Sequence, residues 1–61
     1  MEYQSLPKEP IMLLSFVNTK LRDNYSSLEL LCDDLNVEQS RIIDALAAIN
    51  YSYDKKLNRF I

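Results

Sequence analysis

Glycine is absent from this 61-residue chain. Every backbone position that needs a positive φ must therefore use asparagine or aspartate, the residues that tolerate it next best. Histidine is also absent and cysteine occurs once, which removes the usual zinc set and any internal disulfide. With no histidine base, no glycine-rich phosphate loop and no nucleophile paired with a base at recognisable spacing, catalysis is not expected. Neither is a catalytic residue, a cofactor, a metal or a small-molecule substrate. Long apolar runs are lacking too: a stretch such as "IMLL" is far too short to cross a bilayer. The N-terminal "MEYQSLPKEP" does not read as a basic-then-apolar signal peptide. A single unpaired cysteine fits a reducing cytoplasm, and the expectation is a cytoplasmic protein with no membrane attachment.

At this length there is room for one domain, expected over residues 1–61, with residues 1–9 as an extended N-terminal segment. So short a chain buries only about 60% of its unfolded surface, and its core is marginal. Without disulfide or metal, a partner subunit is the remaining source of stability.

What is present in place of glycine is asparagine. Asn24, Asn36, Asn50 and Asn58 each follow an apolar-periodic stretch or sit in a polar turn, and they divide the chain into three helices and a hairpin. Asn18 is the exception. The first helix is predicted from Pro10, whose fixed φ suits a first turn, to about Asp23. At 100° per residue Leu13, Leu14, Val17 and Leu21 form its core stripe, and Ser15, Asn18, Thr19 and Arg22 the opposite, wet one. Met12 and Phe16, four residues apart, lie to one side of the stripe.

The second helix opens with "SSLE", where Ser26 is the expected cap and Glu29 its capping-box partner. Leu28, Leu31, Cys32 and Leu35 then recur at i, i+3, i+4 and i+7. Asn36 ends that helix and Val37 plugs the corner. The third helix is predicted from about Glu38 to Ile49, with Ile42, Ala45, Leu46 and Ile49 inward. In "NYSYDKKLNRFI" the period changes: Tyr51 and Tyr53 share a face, a polar turn spans Asp54 to Asn58, and Arg59, Phe60 and Ile61 return. The fold class is therefore mainly α, a three-helix helix-turn-helix domain with a short C-terminal β-hairpin, minimal winged-helix-like.

Three chemistries compete for the surface. Asp33 and Asp34 are adjacent on a helix and point about 100° apart, so a solvated face is the better reading than an acid-base pair or metal site. Cys32 lies on the inward stripe, where a small packed residue is the better reading than a reactive thiol. For DNA, the outward face of the third helix offers Gln39, Ser40 and the nearby Arg41, and the hairpin adds Lys55, Lys56 and Arg59 as a modestly basic wing. Against that, Asp44 would face the phosphates, Ile43 and Ala47 would fill the groove with apolar contact, and nine acidic residues outnumber seven basic ones for a net charge of −2.

The competing reading starts from apolar residues that the core does not need. Met12 and Phe16 on the first helix, Leu30 on the second, and Ile43 with Ala47 on the third form a candidate protein interface. The bland alternative is that Met12 and Phe16 widen the core beneath the hairpin tyrosines. The expected partner is a protein, including a second copy of this chain as a homodimer; a DNA-binding winged helix-turn-helix regulator is the alternative.

The stretches "LPKEPIMLLSFVNTKLRD", "YSSL" and "YSYDKKLNRF" give the chain, over almost its full length, a resemblance to a family of short bacterial proteins, domain of unknown function 4250. The resemblance implies a stand-alone cytoplasmic protein, chiefly of Gram-positive anaerobes, and brings no activity, substrate or catalytic residue. The family often reads Gly-Tyr where this chain has Asn50 and Tyr51, and asparagine can take the same backbone conformation.

Overall fold

The computed structural model describes residues 6–61 and consists of three helices followed by a two-stranded antiparallel hairpin: α1 (Pro10–Asp23), α2 (Leu28–Leu35), α3 (Gln39–Ala47), β1 (Tyr53–Asp54) and β2 (Arg59–Phe60). Of the expected extended segment, residues 1–5 lie outside the described part; Leu6 to Glu9 carry neither helix nor strand.

Helix α1 starts where proline allows it. Pro10 occupies the first turn, where its missing N–H is no loss, and the Leu13 N–H closes that turn on the Glu9 carbonyl at 2.8 Å. Leu13, Val17 and Leu21 are buried, with Leu14 half-buried beside them. The helix ends without a left-handed residue. The N–H groups of Asn24 and Tyr25 both bond the Lys20 carbonyl, at 2.8 and 3.1 Å, and Asn24 keeps φ at −124°. Asn24 is therefore not the positive-φ stop that the sequence led us to expect.

Helix α2 is capped one residue later than expected. Ser27, not Ser26, is the N-cap, and its Oγ accepts from the Leu30 N–H at 3.2 Å. Glu29 then falls at the second helical position rather than the third, so the capping box does not form. At the other end Asn36 is left-handed, with φ 59° and ψ 47°, and the Val37 N–H reaches back to the Cys32 carbonyl at 2.9 Å. This is a Schellman-type stop with asparagine in the usual glycine position. Helix α3 repeats the device: Asn50 has φ 68°, and the Tyr51 N–H bonds the Leu46 carbonyl at 3.0 Å. The Asn-Tyr pair thus fills the role that Gly-Tyr would serve.

In the hairpin Tyr53 faces Phe60 and Asp54 faces Arg59, while Ser52 and Ile61 exchange backbone bonds of 3.0 and 2.9 Å. Its turn is closed by Asp54, whose Oδ1 accepts from the Leu57 N–H at 3.0 Å, and by Asn58 at φ 55°. The core comprises Leu13, Val17, Leu21, Leu28, Leu31, Cys32, Ile42, Leu46 and Phe60. Phe60, only 1% exposed, is the hairpin's contribution to it, whereas Tyr51 and Tyr53 are half-buried at its margin.

Two asparagine side chains and one tyrosine fasten the hairpin to the helices. Asn18 donates from Nδ2 to the Phe60 carbonyl at 3.1 Å and accepts the Phe60 N–H on Oδ1 at 2.8 Å, so its amide acts as a third strand beside β2. It does not belong to a wet stripe. Asn58 donates from Nδ2 to the Leu21 and Tyr25 carbonyls at 3.1 and 2.9 Å, and accepts the Tyr53 hydroxyl at 2.6 Å. The same hydroxyl accepts the Leu28 N–H at 3.2 Å. An otherwise orphan carbonyl of α1's last turn and an orphan N–H of α2's first turn are thereby satisfied from one point on the hairpin.

Candidate interaction surface

Several carboxylates gather at the corner between α2 and α3. A groove of about 590 Å³ is lined there by Glu29, Leu30, Cys32 and Asp33 from α2, Val37 and Glu38 from the corner, and Gln39 and Ser40 from α3. Glu29, Asp33 and Glu38 are all exposed, and so is Leu30, at 50%. Further along α3, Ile43 is 39% exposed, and Asp44 and Ala47 are open to solvent. Ile43 lies three and four residues beyond Ser40 and Gln39, on the same helical face.

The structure divides the residues proposed for nucleic-acid contact. Gln39 and Ser40 share the acidic groove with Leu30, while Arg41 faces a second groove of about 750 Å³ between Leu6, Pro7, Lys8 and Leu13 on one side and Leu35, Val37 and Ala45 on the other. Lys55, Lys56 and Arg59 are exposed on the hairpin. Among the described residues no hydrogen bond or ion pair joins those three to α3. Instead Asn58 ties their hairpin to the α1–α2 junction.

The candidate pair on α1 also separates. Met12 is 60% exposed on the outer side of the helix, whereas Phe16 is half-buried against the core with the Lys20 ammonium 5.7 Å from its ring centre. Asn18, which meets the hairpin, lies about 160° around the helix from Phe16, while Phe16, Tyr51 and Tyr53 all pack at the margin of the core. Three exposed apolar residues went unremarked in the sequence: Ile11 beside Met12, Ile61, and Leu57, which is 57% exposed in the hairpin turn. Leu57 had a visible signal, an apolar residue between two lysines and an asparagine.

Among the described residues no group of three or more cysteine, aspartate or glutamate side chains could hold a metal ion. Burial raises the Cys32 thiol above its ordinary pKa, and the side chain packs in the core as the inward stripe implied. Asp33 and Asp34 are both exposed, and Asp34 accepts the Tyr25 hydroxyl, which raises the tyrosine's pKa. Among the described residues the one ion pair is Arg22–Asp23 at 2.8 Å; it raises the guanidinium and lowers the carboxyl, at a site exposed to water. No helix among the described residues is long and apolar enough to cross a membrane.

The stretches that make the sequence distinctive turn out to be the ones that assemble the clamp: Asn18 and Leu21 in the first, the Tyr25–Leu28 cap in the second, Tyr53 and Asn58 in the third. No curated protein and no solved structure matches the chain. A family model described as Domain of unknown function (DUF4250) matches residues 7–60, and the chain belongs to that family.

Proposed function

We propose that this chain is a non-enzymatic protein-interaction domain that associates with its own copy. The observation that carries the reading is the set of large apolar side chains left outside a closed core: Ile11 and Met12 on α1, Leu30 on α2 and Ile43 on α3. Single exposed apolar residues are ordinary. In a domain whose own core supplies only about 3–5 kcal/mol, covering several of them contributes a large share of stability, roughly 1.5–3 kcal/mol for each side chain fully buried. A protonated, buried thiol and solvated carboxylates support the non-enzymatic part.

DNA binding of winged helix-turn-helix type is the second reading, favoured by the tight α2–α3 corner and by the exposed Lys55, Lys56 and Arg59. The charges at the corner oppose it. Glu29, Asp33 and Glu38 are exposed there, with Asp44 exposed further along α3, and a carboxylate about 8 Å from a phosphate costs about 0.5 kcal/mol in water before salt screening. Arg41 alone does not offset them.

The test is a melting series across protein concentration, paired with a titration of duplex DNA at low salt. Self-association predicts a melting temperature that rises with concentration, a smaller rise for Met12→Ser, and no binding of DNA. A concentration-independent melt together with DNA binding that weakens steeply with salt, and less steeply in Lys55→Ala, reverses the order of the two readings.

A further inference from the structure

We propose that the groove at the α2–α3 corner receives the hairpin turn of a second copy of this chain. The proposal rests on the self-association reading and deepens it by naming two surfaces, beside the α1 apolar residues, that meet. The groove presents three carboxylates, Glu29, Asp33 and Glu38, around the exposed Leu30 and the half-buried Val37. The hairpin turn presents the opposite pattern: Lys55, Lys56 and Arg59, all exposed, around Leu57, 57% exposed. Around each apolar residue the charge is predominantly of one sign, and the signs are complementary.

Two features of the groove could weaken this match, and both are outweighed. Helix α3 begins in it, and its N-terminus carries a partial positive charge of roughly half a unit, against three full negative charges. Asp54 adds an acid opposite Arg59, but Lys55, Lys56 and Arg59 leave the hairpin turn with a net positive charge. The occupant is a second copy because the chain's own turn is held elsewhere: Asn58 binds it to Leu21 and Tyr25, and the Tyr53 hydroxyl binds it to Leu28. The same bonds hold the turn rigid, so little entropy is lost when it enters a partner's groove. When each copy inserts its turn into the other's groove, the contact is reciprocal and closes a two-fold dimer.

The experiment is a charge swap read by sedimentation velocity at low and physiological salt, with far-UV circular dichroism to establish that each variant is folded. One variant, K55E/K56E, carries an acidic turn beside its acidic groove; the other, E29K/D33K, carries a basic groove beside its basic turn. Each alone meets like charge at both contacts and is expected to associate at least tenfold more weakly than the unaltered chain. Mixed one to one, the two variants have opposite charge at both contacts, and a heterodimer of near wild-type affinity is expected. Leu57→Ser is expected to weaken the wild-type dimer without changing its salt dependence. Dimers of both variants as tight as the unaltered chain overturn the turn-in-groove contact while leaving self-association standing, as does a mixture that stays monomeric while the unaltered chain dimerises. An unaltered chain that is monomeric under all conditions overturns the self-association reading itself.

Discussion

Asn58→Ala isolates the device on which the whole fold closes. The substitution removes three side-chain bonds, to Leu21, Tyr25 and Tyr53, at 3.1, 2.9 and 2.6 Å. Each such bond contributes about 0.5–1.5 kcal/mol net, and because the site is part-buried the lower half of that range applies, giving about 1.5–3 kcal/mol. Alanine must also hold the φ of 55° that asparagine tolerates, at a further cost of about 1 kcal/mol. The sum, about 2.5–4 kcal/mol, is comparable to the entire net stability of a domain this small. Urea denaturation followed by circular dichroism measures it, and Asn58→Gly separates the two parts: glycine relieves the backbone cost but restores none of the bonds, so it is expected to recover about 1 kcal/mol of the alanine loss. An alanine variant within about 0.5 kcal/mol of the unaltered chain would refute the claim that the hairpin clamps both helix ends.

Other consequences are smaller but equally specific. Asn36→Val places a β-branched residue at φ 59° and is expected to cost at least about 1 kcal/mol in the same denaturation assay. Cys32 is buried with its pKa raised, so its contribution to stability is fully present below the unfolded thiol's pKa of about 8.5 and is lost as pH rises from there through the folded value. Denaturation midpoints are therefore expected to fall above that pH, with a shallower fall in Cys32→Ala, and thiol labelling of the native chain is expected to be limited by unfolding. Arg22→Ala removes an ion pair exposed to water and is expected to leave the melting temperature unchanged within experimental error.

Local chemistry explains which parts of this fold could be read from the sequence. Pro10 at the start of α1, and Asn36 and Asn50 past the ends of α2 and α3, act on their own backbone neighbourhood. In a chain without glycine they are the natural places for a start and two stops. The i, i+3, i+4, i+7 pattern of Leu28, Leu31, Cys32 and Leu35 fixed the inner face of α2 for the same reason. Long-range bonds were not legible. Asn18 is polar at a position that helical spacing puts outside the core, and only the arrival of Phe60, 42 residues later, makes it an anchor. Phe60 likewise looked like one member of a terminal strand, because nothing in a two-residue strand tells which side the core lies on. The surface divides in the same way. Leu30 and Ile43 were identifiable as outward apolar residues, while the grouping of Leu30 with Gln39 and Ser40, and the separation of Arg41 from both, depend on how α3 turns away from α2 at Asn36.

The central claim, that apolar side chains outside the core serve contact with a second copy, is tested most directly by sedimentation equilibrium of the unaltered chain over a range of micromolar concentrations. The account predicts a mass that rises from that of the 7.2 kDa chain to twice that value as concentration increases, with the transition shifted to higher concentration in Met12→Ser and in Leu30→Ser. A mass fixed at that of one chain across the whole range would contradict it.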